Sequence, residues 1–474
     1  MKMTKRFLSV SMIGIMLTIS SCEKSIFEEP YSNLSPTDAF ATADRIEKAA
    51  VGMYDQLQNL EFFGGRVLIY ADIRGVDARA TAYFGQMPNF NTLLSSDATV
   101  AYAWEGAYRT IYEANNFVKN LADNPGKISD VQTAQFNSEA KFIRSLCYFY
   151  LVNLWAQPYK FTADASHYGV PLILTTTDAP FDPSNQVGRN TVAEVYQQIE
   201  TDLLEAETGL PTAAAVEGKD FADVARATKG AAQALLARLY LYKGDYAKAV
   251  TYSDKVLAGP YKLNSSPVSA FRNPYYTDEN IFSVAMNGAD NPNTNNALGQ
   301  HYAPDKRGDI QISSDYVNLM SATDLRRTEL TRTYDAAAGS YWTTKYTGIT
   351  DWVPVLRLSE ILLTKAEALA NLGTGVDATA ATLLNQVRKR SDAAAATIAP
   401  ASKQALIDAI LLERRIELAF EGQGIFDFLR TGRGIPEHGA VSAQAYGSDY
   451  VVLPIPKYDT DKSPILASQQ NPGY

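Results

Sequence analysis

AAQALLARLYLYKGDYAKAVTYSDKVLAGPY, residues Ala231–Tyr261, predicts two short helices joined at Gly244. On the first, Leu235 and Leu239 stack at i,i+4 spacing, as do Leu236 and Tyr240. Gly244 suits a left-handed position just past a helix end, where any Cβ is strained. Asp245 is placed to cap the second helix, whose buried face reads Tyr246, Ala249, Val250 and Val256. Ala237 and Ala249 are small where the two helices must approach closely.

The spacing of Leu236, Ala237, Tyr240, Gly244, Tyr246 and Ala249 resembles a tetratricopeptide unit, although the unit's usual first Trp is missing. One such hairpin cannot bury its own apolar face, so neighbours must stack on it. The alternative is an ordinary helical hairpin in a bundle. Arg357–Leu372 repeats the pattern: Ala366 lies seven residues before Gly373, as Ala237 lies seven before Gly244, and Ala380–Arg390 reads as the second helix. Further helices are predicted from Phe40 to about Leu60 after Ser35-Pro36, over Trp104–Leu121 and Ala134–Trp155, from the capping box Thr191-x-x-Glu194 through Leu203, and over Lys403–Phe420. Residues 62–103 and 264–352 lack helical period and are rich in Gly, Asn, Asp and aromatics. The tail Tyr450–Tyr474 reads as Pro-rich and extended. The expected fold is mainly α, a tetratricopeptide-like helical-hairpin superhelix with irregular loop and short-strand insertions. A rigid frame carrying variable loops is the usual setting for a binding surface.

The chain has 474 residues, 46% hydrophobic and 20% charged, which marks it as globular. Its net charge of −9 argues against nucleic acid, whose phosphates must be neutralised by Lys and Arg. Two cysteines, Cys22 and Cys147, make no disulfide framework. Cys147 falls on an apolar helical stripe and reads as a small buried hydrophobe. The N-terminus accounts for Cys22. Lys2, Lys5 and Arg6 precede an apolar run, Phe7–Ile19, and Ser20-Ser21-Cys22 follows. This resembles a bacterial lipoprotein signal, which implies cleavage before Cys22 and acyl chains on it, each buried methylene worth about 0.8 kcal/mol. Losing residues 1–21 removes those three cations and no acid, moving the net charge from −9 to −12. The expected organisation is a signal peptide over 1–21, a lipidated tether over 22–34, and one domain over 35–474.

Catalytic patterns are missing from the sequence. His167, His301 and His438 are far apart and in no metal-ligand spacing. There is no G-x-S-x-G, Gly218-Lys219 lacks the spacing of a phosphate loop, and Gly422 and Gly424 lack the third Gly of a dinucleotide motif. Asp290–Asn295 offers oxygen ligands for calcium without the loop Gly or final Glu of that site. Carboxylate pairs abound in any acidic chain, so a surface glycosidase stays open as an alternative. No pattern calls for a cofactor or a metal. Glu413, Glu417 and Glu421 form one helical stripe that would repel itself unless basic groups lie across it. Arg357 is a candidate partner, and a solvated face is the alternative.

Several separated stretches agree in order and spacing. They are Trp104-x-x-x-Tyr108-x-x-Ile111-x-x-x-Asn115-Asn116; Glu139-Ala140-Lys141-Phe142-Ile143-Arg144; Arg357-Leu358-Ser359-Glu360 with Ala366-Glu367-Ala368; Glu413-Arg414-Arg415-x-Glu417-Leu418 with Glu421-Gly422 and Phe426-Asp427; and Leu453-Pro454-Ile455-Pro456 with Gln470-Asn471-Pro472-Gly473-Tyr474. With the lipoprotein signal, they resemble the SusD/RagB family of surface nutrient-binding lipoproteins along nearly the whole chain. Gly424 departs from the pattern, which usually places Arg after Glu-Gly. The resemblance implies about four helical hairpins, a lipid anchor at the outer membrane, and an outward-facing position. It implies a SusC-like TonB-dependent outer-membrane transporter as partner, covered by this protein as a lid. It implies non-catalytic capture of oligosaccharide or, in some members, peptide, with the ligand site on the insertions 62–103 and 264–352. A protein-binding scaffold lipoprotein is the alternative of a different class. Within the insertions, Tyr83, Phe84, Tyr302 and Trp342 are the candidates for stacking on sugar rings, and Asp77, Arg79 and Asn91 for hydrogen bonds to hydroxyls. Trp104, Trp155 and Trp352 border helices and are expected to pack the frame.

Overall fold

The structure, a computed structural model, describes residues 35–177, 182, 185–214, 218–335 and 339–474. The signal 1–21, the tether 22–34 and the lipidation site Cys22 lie outside the described residues. The frame consists of α1 (Ala43–Leu57), α3 (Ala98–Asp123), α4 (Asp130–Trp155), α5 (Val192–Gly209), α6 (Lys229–Lys243), α7 (Tyr246–Leu257), α8 (Leu358–Leu372), α9 (Ala378–Ser391) and α10 (Lys403–Glu417). Between α1 and α3 lies α2 (Arg66–Ile73). Through the frame each helix packs on the next, α1 on α3 and so on to α9, and α10 closes against α8. No helix among the described residues is long and apolar enough to cross a membrane.

The hairpin at Gly244 forms as its sequence predicts. Gly244 takes φ +75°, its N–H and that of Asp245 reach back to Leu241 and Tyr240, and the Asp245 carboxylate accepts from the Lys248 N–H at 3.2 Å. Leu235, Leu236, Ala237 and Leu239 have no exposed surface, so α6 is an inner helix of the stack. The Thr191/Glu194 capping box opens α5, and a second box, Ser129/Gln132, opens α4 four residues before the expected start. Buried apolar residues from Phe40 to Ile455 form one continuous cluster, with Cys147 inside it.

Three parts of the chain differ from expectation. Residues 62–103 contain α2, a helix buried on every side, including Arg66 and Asp72; with no solvent face it has no amphipathic period to read. The same stretch ends in the first turn of α3, which starts at Ala98 rather than Trp104. The tail is not wholly extended: Lys457–Lys462 and Pro464–Ser468 are short helices. The tail is also locked into the frame. Buried Arg189 donates to Gln469 O (2.8 Å), Asn471 Oδ1 (2.7 Å) and Trp155 O (3.1 Å).

α10 stops at Glu417, short of the expected Phe420, and its Glu413 and Glu417 join Glu421, which lies beyond the helix end, in a buried ion network. Arg326 bonds Glu413 (2.6 Å) and Glu417 (3.0 Å). Arg357 bonds Glu279 (2.6 Å), Glu417 (3.2 Å) and Glu421 (2.7 Å). Arg390 and Lys345 complete it on Glu417 (2.5 Å) and Glu421 (2.6 Å). Burial alone would push the Glu417 carboxyl up, but Arg390, Arg357 and Arg326 hold it well below the usual carboxylate range. The Gly424 that departs from the family pattern sits where an added Cβ would lie 3.0 Å from Asp72 Cα, so a side chain there would collide with α2.

Strands are few and short. β1 (Ala78–Ala80) comes from the first insertion; β2 (Asn280–Val284), β3 (Ile310–Ile312), β4 (Thr331–Asp335) and β5 (Ser340–Thr343) come from the second, and β6 (Val353–Arg357) leads into α8. β2 pairs with β6 inside the core. The other four form an antiparallel sheet in the order β1-β3-β5-β4. The two insertions therefore meet as neighbouring strands of one sheet.

Candidate functional site

Side chains alternate across a strand, so the two faces of this sheet have separate compositions. Ala78, Ile310 and Ile312 turn inward and join the apolar core. Their strand neighbours turn outward. Arg79 pairs with Gln311, and Trp342 pairs with Arg332. Ile312 pairs with Tyr341, which makes Gln311 and Trp342 the next couple along. The outer face thus carries a row across all four strands: Arg79, Gln311, Trp342, Arg332. Both arginines are exposed. Trp342 keeps 9% of its surface and stands outside the main apolar cluster. Its indole N–H donates to Gly308 O at 3.2 Å. Gly308 has φ +61°, and a Cβ there would lie 3.4 Å from Trp342 Nε1, so bare backbone lets the indole rest on this loop.

Tyr83 stands just beyond β1 and is 41% exposed. Its hydroxyl accepts from Arg66 Nη2 at 2.8 Å. The Arg307 guanidinium lies over its ring, 4.0 Å from the centroid. Arg307 Nε donates to Asp309 at 2.7 Å, and His301 Nδ1 meets the same carboxylate oxygen at 2.9 Å. Burial pushes the His301 imidazole down to about 4, so it is neutral and its proton sits on Nδ1, facing Asp309. His301 in turn packs against Tyr83 and Phe84, with ring centroids 5.2 and 5.0 Å away. Together these contacts fix the Tyr83 ring in place.

The residues expected to bind ligand are thereby separated. Arg79 and Trp342 share the row, and Tyr83 borders it. Phe84 and Tyr302 have no exposed surface. Phe84 lies under His301, and the Tyr302 hydroxyl donates to buried Asp72 at 3.1 Å. Neither ring offers a face to a ligand, which corrects the stacking role expected of both. The Asp77 carboxylate is taken up by Arg415 through Nε (2.8 Å) and Nη2 (2.6 Å), on the wall of a cavity of about 250 Å³ beside α10. Asn91 is exposed on the turn Phe90–Thr92, outside the four strands that carry the row. In the Asp290 loop the Asn287, Asn291 and Asn293 side-chain oxygens accept from nearby backbone N–H groups, which engages the oxygens a calcium ion would need.

Trp104 and Trp155 pack in the frame, 5.3 Å apart. Trp352 does not. It stacks on Tyr275 (5.7 Å, 19°) and shares with Tyr276 the wall of a second cavity of about 250 Å³. A wider groove, about 1090 Å³, runs along α3. Tyr102, Tyr112 and Tyr458 stand exposed around it, and Trp104 and Tyr108 form its floor. The sequence reading missed Gln311, Arg307 and Arg332. Alternation in Thr331-Arg332-Thr333 was visible, but the pairing that carries Arg332 beside Trp342 was not.

A family model described as starch-binding and associating with the outer membrane matches residues 28–241, and the SusD family model matches residues 282–474. The SusD-like protein P25 of Formosa agariphila is 26% identical over 285 residues, 57% of this chain and 50% of that relative, so the match spans half of its length. The SusD-like protein P2 of the same organism is 24% identical over 540 residues, 98% of this chain and 99% of that protein. The crystal structure of a SusD superfamily protein from Bacteroides fragilis superposes with a TM-score of 0.81 at 29% identity, over 90% of this chain and all of that one. With both halves matched and the frame shared along nearly its whole length, the chain belongs to the SusD family.

Proposed function

We propose that this protein captures oligosaccharide at the cell surface without cleaving it and delivers it to a TonB-dependent outer-membrane transporter. The observation that carries the reading is the sheet that joins β1 of one insertion to β3–β5 of the other, with its outward row beside exposed Tyr83. Sugar rings present C–H faces that stack on aromatic rings, and their hydroxyls need fixed polar partners. Tyr83, 41% exposed, supplies the first, with the largely buried Trp342 beside it, and Gln311, Arg79 and Arg332 supply the second. Starch binding and outer-membrane association, in the words of the matching family model, agree with this assignment. Acyl chains on Cys22 hold the body at the outer membrane, facing outward. The helical frame faces the transporter, with Tyr102, Tyr112 and Tyr458 around the α3 groove as its contact side.

The test is calorimetry and affinity electrophoresis of the mature chain, beginning at Cys22, against a panel of glycans and peptides. Saturable binding of a glycan with no new reducing ends after long incubation is the expected result. Release of reducing ends points to a glycosidase. Binding of peptides alone points to a peptide lid, and binding of neither to a scaffold for other proteins.

A further inference from the structure

Among the described residues this chain engages its arginines almost completely. Buried ones such as Arg238, Arg326 and Arg357 hold carboxylates, and exposed ones such as Arg45 and Arg109 find a carbonyl or a neighbouring acid. Arg79 and Arg332 alone have no hydrogen-bond, ion-pair or ring partner among the described residues. They are not scattered. They are the two ends of the row Arg79, Gln311, Trp342, Arg332, on the face of the sheet turned away from the core. Three strand spacings separate their backbones, on the order of 14 Å. Between them lie an amide and an indole edge. Arg307 and Arg66 also border Tyr83, but Arg307 is paired with Asp309 and Arg66 lies within the field of Glu61, so the free charge is that of the two row ends. A chain of net charge −9 therefore gathers unneutralised positive charge on the one sheet built from both insertions.

Guanidinium groups are planar, permanently charged and matched to carboxylate and sulfate in fork geometry. A neutral glycan can accept hydrogen bonds from two such groups but leaves their charges unmatched, whereas an anionic substituent answers both the donors and the charge. We infer that the row Arg79–Gln311–Trp342–Arg332 binds an anionic oligosaccharide, one whose sugars bear carboxylate or sulfate, with Arg79 and Arg332 each meeting a charged substituent and Gln311 and Trp342 the ring between them. The inference rests on the reading of this sheet as a glycan surface and adds the ligand's charge to it.

The experiment uses the full mature chain and paired probes. Oligogalacturonate is titrated against its carboxyl-reduced form, heparin-derived oligosaccharide against its desulfated form, and hexaglutamate serves as an acidic peptide. One acidic oligosaccharide should bind at least about tenfold tighter than its neutralised counterpart. That preference should shrink as salt is raised. In Arg79→Gln/Arg332→Gln the ratio should fall to about one. Arg79→Lys/Arg332→Lys, which keeps charge and loses the fork, should restore part of it, and thermal unfolding of each variant checks the fold. Which pair shows the preference tells carboxylate from sulfate. Equal binding of acidic and neutral forms, or a ratio unchanged in the glutamine variant, overturns the inference and leaves glycan capture standing. Binding of hexaglutamate in preference to every oligosaccharide overturns it in favour of a peptide ligand. No binding in any arm overturns both.

Discussion

Tyr83 and Tyr302 are both tyrosines of the insertions, yet their surroundings give them opposite duties. Tyr83 is held by Arg66, Arg307 and His301 and still keeps 41% of its surface exposed. Tyr83→Ala should weaken ligand binding by roughly threefold to tenfold, the worth of one aromatic contact, as read by calorimetry. Its unfolding free energy should move by less than about 1 kcal/mol, as expected for a surface site. Tyr302 instead serves Asp72, which also accepts from the N–H groups of Gly422 (3.0 Å) and Gly424 (3.2 Å). Burial pushes the Asp72 carboxyl up to about 7 against the pull of those three donors. An unfolded chain releases that proton near pH 4, so between pH 4 and 7 only the folded protein holds it. The stabilisation this brings is complete below pH 4 and is lost as pH rises through 7. Asp72→Asn should remove that slope, on the order of a few kcal/mol across the window, in urea unfolding followed at several pH values.

At the scale of elements, α10 depends on charges it cannot leave unpaired. Arg357→Met strips cations from Glu279, Glu417 and Glu421 together, and should destabilise the protein by about 3–5 kcal/mol in urea unfolding. Adding Glu421→Gln should recover part of the loss rather than deepen it, because without Arg357 the buried network holds more carboxylates than Arg326, Arg390 and Lys345 can neutralise. The stripe Glu413, Glu417, Glu421 and its partner Arg357 were legible from spacing; Arg326, Arg390 and Lys345 were not, because they arrive from distant segments. The same divide runs through the helices. The α6–α7 hairpin could be read because Gly244 and Asp245 act on their own neighbours, and α5 because Thr191 and Glu194 do. α2 could not, since Arg66–Ile73 is enclosed on all sides and shows no periodic contrast between faces.

Across the whole molecule, the α3 groove and the four-stranded sheet share no lining residue, so their roles should be separable by substitution. Tyr102→Glu with Tyr112→Glu places charge in the α3 groove and, if the proposed transporter docks there, should abolish its co-purification. Glycan titrations of the same variant should match those of the parent chain. The candidate surface was only partly legible in the sequence. Its location in the insertions could be named, and so could Arg79, Tyr83 and Trp342. Register could not, because Arg79 faces Gln311, far along the chain, and the exposure of Tyr83 as against Phe84 is decided by a one-residue difference on a short turn. That long-distance pairing also fixes when the surface comes into being. A polypeptide leaving the ribosome or crossing a membrane N-terminus first carries Arg79 early, yet has nothing to set it against until β3, β4 and β5 emerge. Nascent or clipped fragments lacking those strands would display a lone cation on a loose end, and the proposed ligand surface would be among the last features the maturing protein acquires.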